Sequence, residues 1–282
     1  MLTTVDGLPH NMVNAILRDS RGFVWFCTRE GLSRFDGHGF VNYGVHDGLP
    51  SGVINAMIEV NNGLYWIATS RGLVLFDPSA VTTTEDPSRA RRMFTAFLAG
   101  TTSEAQFVTS VHRDAGGKVW VGTVGGLYLA ELTNDRNRRT VSFNAVLAGA
   151  EVTTIAEDAN DIWIGTSRGL FTLRQGGEVR RHTAKALDAH VTSMWPDGAG
   201  RLWIGTTSGL HRLTLASDAG RVEAVDSFGK ADGLPVDWIT QIRRSQSGQL
   251  WVATNGGPAP TCWTSTSLRR PAQIRTSYIR SN

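Results

Sequence analysis

Apolar and polar positions alternate along this chain in short runs, each closed by Gly, Asp, Asn or Pro, and no long stretch repeats its apolar positions every three to four residues. Alternation of this kind predicts strands, because successive side chains of a strand point to opposite faces. "VNAILRD" (Val13 to Asp19) is the first such run, and "FVWFCT" follows after the turn residues Ser20, Arg21 and Gly22. Asp19 and Gly22 stand at the first and fourth places that a type I turn favours, and Asp114 with Gly117 and Asp197 with Gly200 repeat the pair. "LSRFDG" and "FVNYGV" predict a third and a fourth strand. Within the second strand, Trp25 and Cys27 share one face, and Phe26 and Thr28 the other.

The pattern then recurs. "FVWFCTREGL" ends at Leu32, "LYWIATSRGL" at Leu73, "KVWVGTVGGL" at Leu127, "DIWIGTSRGL" at Leu170 and "RLWIGTTSGL" at Leu210, while "QLWVATNGG" starts a sixth copy at Gln249. Its tryptophans, Trp25, Trp66, Trp120, Trp163, Trp203 and Trp251, are separated by 41, 54, 43, 40 and 48 residues. A period of that length with strand content is the mark of propeller blades. Residues 1–257 are therefore expected to form an all-β β-propeller of about six four-stranded blades, either whole or part of a seven-bladed ring. Each tryptophan is expected to pack between blades. The small residue two places on (Cys27, Ala68, Gly122, Gly165, Gly205, Ala253) is expected to make room for a neighbour's indole or backbone. The glycine before each closing leucine predicts a turn into the third strand. Met1 to Val5 align with outer strands that precede later copies, and are expected to dock against the last blade. After Gly257 the pattern stops, so 258–282 are expected to be an irregular tail.

Composition narrows the picture. The net charge is +3, but Arg269, Arg270, Arg275 and Arg280 lie in the tail and leave the rest at about −1. A folded basic surface of the kind nucleic acid needs is not predicted. No apolar run approaches the length of a membrane helix, and the N-terminus lacks the charged start and apolar core of a signal peptide. Two cysteines make no disulfide framework, and Cys27 fills the small-residue slot of its copy as a buried thiol.

"DGLPHNMVNAILRDSRGFVWFCTREGLSRFDG" and "DGLPSGVINAMIEVNNGLYWIATSRGLVLFDP" resemble the two-component regulator propeller repeat, with its Gly-Leu-Pro lead-in, Asp-Gly turn, Trp-x-Gly-Thr strand and Gly-Leu exit. The resemblance runs from Val5 to about Gly257. It implies the periplasmic or extracytoplasmic sensor region of a histidine kinase or related signalling protein, with a small solute or an oligosaccharide as ligand and a transmitter module outside this chain. The lead-in is present at Gly7, Gly48 and Gly233 and missing from the third, fourth and fifth copies. Neither a kinase histidine box nor an ATP-binding glycine box appears, so no kinase activity is expected of the chain itself.

Catalytic and metal chemistry find little support in the sequence. The seven histidines show no metal-ligand spacing, and one Asp per turn is far from the six to eight oxygens of a calcium site. No cofactor and no catalytic residue is implied. One positional pattern is more suggestive. Directly after the first apolar residue of each inner strand stand Asn14, Asn55, Thr109, Thr153, Thr192 and Thr240. Short polar groups that both donate and accept suit a hydroxyl-rich ligand at the propeller axis, although the same groups also bond strand-end backbone. His10, Asp237 and Trp238 on the connecting loops are further candidate contacts, Trp238 by stacking on a sugar ring; Trp195 is a weaker one. A stand-alone lectin-like or protein-interaction propeller would show the same residues, and a propeller lyase or hydrolase would need an acid–base set not seen here.

Overall fold

The first predicted run folds as blade 1, four antiparallel strands at Val13–Arg18, Val24–Thr28, Leu32–Phe35 and Phe40–Tyr43, hydrogen-bonded in sequence order. The computed structural model describes residues 2–61, 63–80, 93–135, 138–159, 161–174, 177–216, 221–245, 247–255 and 261–264. Among them the same four-stranded meander recurs as blade 2 (Ile54–Asn61 to Phe94–Phe97), blade 3 (Val108–Arg113 to Arg138–Ala148), blade 4 (Val152–Asp158 to Val179–His182) and blade 5 (Val191–Pro196 to Val222–Phe228). Blade 6 has three strands, Ile239–Arg244, Gln249–Thr254 and Thr261–Thr264. The fold is an all-β one of propeller blades. The chain divides into two compact units, Met1–Val152 with blades 1 to 3 and Thr153–Asn282 with blades 4 to 6.

Apolar burial is organised between neighbouring blades rather than inside single sheets. In the first unit, Trp25, Cys27 and Leu32 of blade 1 form one core with Ile54, Met57, Tyr65, Ile67 and Phe76 of blade 2. Trp66, Ala68 and Leu73 of blade 2 form another with Val108, Val111 and Val121 of blade 3. In the second unit, Trp163 is packed with Val191, Met194 and Ile204, and Trp203 with Ile239, Ile242 and Val252. Trp25, Trp66, Trp120, Trp163 and Trp203 are buried, whereas Trp251 is only half-buried. A single blade is too thin to hide its own apolar faces, so the indoles of Trp25, Trp66, Trp163 and Trp203 are shielded by the next sheet.

The Gly-Leu exit has a local cause. Thr28, Thr69, Thr123, Thr166 and Thr206 are fully buried, and each hydroxyl donates to the carbonyl of the glycine three residues on, at 2.7–3.0 Å. That glycine has φ between 106° and 153°, and a Cβ on Gly31 or Gly72 would stand 2.6 Å from the carbonyl oxygen of Tyr43 or Phe97. Close approach of the fourth strand together with left-handed backbone excludes any side chain there.

Two expectations need correction. Thr4–Asp6 is a single 3-10 turn and not an outer strand: the Thr3 N–H donates to the Asp6 carboxylate at 2.8 Å, Gly7 turns at φ 112°, and Leu8 is buried. The same device precedes Leu49 and Leu234, where Asp47 and Asp232 accept from the N–H of Gly44 and Gly229 at 2.7 and 2.9 Å. Asp-Gly-Leu-Pro thus encodes a capped turn that drives a leucine into a core. In the tail, Thr261–Thr264 pairs antiparallel with Gln249–Thr254 and gives blade 6 a third strand where irregular chain was expected. The rest of 258–282 lies outside the described residues.

Candidate functional site at the inner-strand bulges

Five of the six Asn/Thr positions share a backbone peculiarity. In blades 1, 2, 3, 5 and 6 the pairing of the inner strand with its neighbour skips one residue, and that residue is Asn14, Asn55, Thr109, Thr192 or Thr240. A bulge leaves its extra residue out of the ladder and re-aims the side chain. Here the side chain is aimed at the next inner strand. In the first unit, Asn14 Nδ2 donates to the Ile54 carbonyl at 2.8 Å, Asn55 Nδ2 to that of Val108 at 2.6 Å, and Thr109 Oγ1 to that of Val152. In the second, Thr153 Oγ1 donates to the Val191 carbonyl at 2.5 Å and Thr192 Oγ1 to that of Ile239 at 2.7 Å. Every acceptor is the β-branched residue just before the next copy's own Asn or Thr. The side chains form a ladder of latches.

The glycine two places after Trp120, Trp163 and Trp203 completes the latch. A Cβ on Gly122 would stand 2.7 Å from Val152 Cγ1, one on Gly165 2.6 Å from Val191 Cγ1, and one on Gly205 2.6 Å from Ile239 Cγ2. The room is filled by the neighbour's β-branched side chain, not by an indole or backbone as expected. Val152, Val191 and Ile239 are fully buried in this way, and Ile54 and Val108, equally buried, share a core with Cys27 and Ala68. These residues were missed as partners in the sequence, although a Val or Ile stands before every Asn/Thr position.

The loop candidates fall in different units. His10 is half-buried in the first, and its Nδ1 accepts from the Met12 N–H at 2.8 Å. Asp237, in the second, accepts from the Lys230 N–H at 2.9 Å, as Asn11 does from Thr4 at 2.8 Å in the first lead-in turn. Trp238 is 48% exposed next to Thr240, which is also exposed. Trp195 is half-buried, and its indole N–H has no hydrogen-bond partner among the described residues.

A polar cluster that sequence reasoning did not anticipate lies between blades 1 and 2. Asp19 accepts from the Trp25 indole at 2.9 Å, from the Tyr65 hydroxyl at 2.6 Å and from the backbone N–H of Arg21 and Phe23. Burial works to raise the Asp19 pKa, but the bonds from Tyr65, Trp25 and the two amides outweigh it and hold the carboxyl below its ordinary value. Burial, with the bond to Asp19 next, pushes the Tyr65 hydroxyl up to about 12. Arg21 donates to Tyr65 at 2.9 Å, and Ser20 binds Glu59 at 2.7 Å through both its N–H and its hydroxyl. The signal for Asp19 was its place six residues before the tryptophan, which Asp114 shares: Trp120 Nε1 donates to it at 2.9 Å. These groups are satisfied by one another, which suits a structural joint more than a reactive centre.

Among the described residues no group of three or more His, Cys, Asp or Glu is arranged to hold a metal ion, and no helix is long and apolar enough to cross a membrane. The candidate residues at the bulges and loops offer hydrogen bonding by amides and hydroxyls, plus the exposed Trp238 indole.

Residues 7–30 and 48–71 match the family described as two component regulator propeller. No curated protein matches the chain. Among solved structures, the extracellular domain of a hybrid two-component system of B. thetaiotaomicron is 21% identical with a TM-score of 0.72 over 95% of this chain, which spans 35% of that one. The virginiamycin B lyase of Staphylococcus aureus is 13% identical with a TM-score of 0.66, over 94% of this chain and 86% of the lyase. The Swd1 β-propeller domain of Myceliophteria thermophila is 10% identical with a TM-score of 0.63, over 90% of this chain and 83% of that domain. At these identities the likeness is one of fold.

Proposed function

From the premise that this chain is built of two-component regulator propeller repeats, we propose that it is the ligand-sensing, non-catalytic region of a two-component signalling protein, working outside the cytoplasm. The observation that carries this reading is the match of two successive copies, 7–30 and 48–71, to that repeat. The likeness to an extracellular domain of a hybrid two-component system supports the location. A transmitter module elsewhere in the signalling protein turns binding into output. The ligand is a small, hydroxyl-rich solute such as an oligosaccharide. Thr240 and Trp238 of the second unit favour it, because both are exposed and offer a short polar group and a flat apolar ring. Asn14, Asn55, Thr109, Thr153 and Thr192 each donate to a backbone carbonyl of the next inner strand instead.

Isothermal titration calorimetry against a panel of neutral oligosaccharides tests the proposal. Saturable binding is expected for one class, weakened at least tenfold by Trp238→Ala with the melting temperature unchanged. Binding by no member of the panel, or binding indifferent to Trp238, removes the saccharide assignment. Chemical turnover of a bound sugar removes the non-catalytic one.

A further inference from the structure

In blade 5, alone of the five four-stranded blades, a histidine follows the closing leucine of the Gly-Leu exit. His211 is buried, at 4% exposure, with Nε2 3.2 Å from the Thr206 hydroxyl and Nδ1 3.0 Å from the Ser227 hydroxyl. Ser227 stands opposite it on the fourth strand and is exposed. A hydroxyl has one proton, and Thr206 donates its own to the Gly209 carbonyl as its counterparts in the other blades do. Towards His211 it therefore accepts, and Nε2 carries the ring hydrogen. Burial lowers the His211 pKa from its ordinary 6.5, so the ring is neutral at neutral pH and Nδ1 is bare. The Ser227 hydroxyl donates to that lone pair. The blade itself does not require this pair. The same two places hold Ser33 and Asn42 in blade 1, Val74 and Ala96 in blade 2, and Phe171 and Arg181 in blade 4. His211 and Ser227 share a face with Leu213, which is packed with Trp163 and Leu170 of blade 4, whereas Trp203 lies on the opposite face, towards blade 6.

We propose that Ser227 is an acyl-accepting nucleophile with His211 as its general base, a site of covalent modification by activated esters or thioesters. Nucleophile, base and a third group that orients the base stand within hydrogen-bond reach, the arrangement such chemistry requires. The Ser227 oxygen attacks the carbonyl carbon of the donor while its proton moves to His211 Nδ1. The new O–C bond replaces the bond from that carbon to the leaving oxygen or sulfur, which then takes the proton from His211. The exchange puts an acyl group where a hydrogen was, with no oxidation or reduction. One transfer per chain is a modification and not turnover, so the site adds to the sensing role and leaves the region non-catalytic.

Incubation of the full chain with p-nitrophenyl acetate, followed over time by peptide mass mapping, tests this. Acetylation of Ser227 is expected to run at least tenfold faster than that of Ser142, which is exposed in blade 3 opposite Glu131. Ser227→Ala is expected to remove the fast position, and His211→Asn to slow it to the rate of Ser142. If His211→Asn melts below the wild type, the pH profile of the wild type decides in its place. A buried imidazole base keeps the rate level as the pH falls through 6.5 and lets it drop only below that value. No acetyl group at Ser227, or labelling there no faster than at Ser142, overturns the proposal. So does an equal rate in folded His211→Asn, or a wild-type rate proportional to hydroxide throughout.

Discussion

Trp25 in the first unit and Trp163 in the second occupy the same place in the repeat, and both are 0% exposed, yet they are held differently. Trp25 sits among Tyr43, Tyr65 and Phe76, with ring centroids 6.0, 5.2 and 5.5 Å away, and its indole N–H is bound to Asp19. Trp163 stacks on His182 at 5.2 Å and 22°, and its N–H has no partner among the described residues. Six residues before Trp163 stands Glu157, where Trp25 and Trp120 have Asp19 and Asp114. The repeat therefore preserves the shape of the wedge more strictly than its polar partner. A flat ring from the fourth strand packs on the indole in both blades, as Phe97 does edge-on for Trp66 and Phe228 at a tilt for Trp203. Filling the gap between sheets is what the position demands; the hydrogen bond is an addition.

The largest effect that bears on this comparison is truncation. Trp25→Ala and Trp163→Ala are each expected to cost about 3–5 kcal/mol in urea denaturation, the range for a buried aromatic. A loss below about 0.5 kcal/mol at either, the range of surface changes, ends the wedge role there.

Acid separates the two sites next. Burial, with Arg180 second, lowers the His182 pKa from 6.5 to about 4, and its Nε2 lies 2.5 Å from the Thr172 hydroxyl. The folded pKa is below the unfolded one, so the unfolded chain takes up the proton first. The contribution of neutral His182 is whole above about pH 6.5 and is lost as the pH falls toward about 4. Melting temperatures measured across that window should fall, and less so in His182→Phe, which puts at this place the ring that Phe97 and Phe228 supply elsewhere. An unchanged slope in that variant would show the dependence to lie with other groups.

Trp25→Phe and Trp163→Phe keep a ring and delete the N–H. At Trp25 the change removes a donor from the Asp19 carboxylate, so it is expected to cost about 1–3 kcal/mol more than at Trp163. Equal losses would mean that the Asp19 bond adds nothing net. The smallest effect is that of one latch: Asn14→Ala is expected to cost about 1 kcal/mol, the net worth of a single hydrogen bond, by the same denaturation assay.

Much of the fold was legible because its determinants are local. Trp, the small residue, Thr and Gly-Leu fall in one ten-residue window, and each acts on neighbours in sequence or on a shape that every copy repeats. The strands of blade 1 were placed to within two residues. The bulges were less accessible, since a skipped pairing leaves no mark in composition: Asn14 and Thr240 look like ordinary strand residues until the register around them is known. The acceptors were hidden for a different reason. A latch pairs residues 38 to 53 positions apart and ends on a backbone carbonyl, which every residue has. The Asp-Gly-Leu-Pro lead-in was visible as a motif but misread at the N-terminus, where alignment with outer strands outweighed the turn preference of Asp-Gly. The loop candidates rested on exposure and residue type alone, and Asp237 proves to hold its own turn.

The latches also bear on how such a gene can change length. Since donor, knob and socket are written once per copy, duplicating one period of about 45 residues delivers a unit whose two sides already fit its new neighbours. Losing one period heals in the same way. Additions of any other size must avoid the joint, and the longest interval between tryptophans, Trp66 to Trp120, does so: its helical turn Ser103–Gln106 lies between the last strand of blade 2 and the first of blade 3. Heredity can therefore edit this array in whole blades or in loops, and the latch defines the boundary between the two.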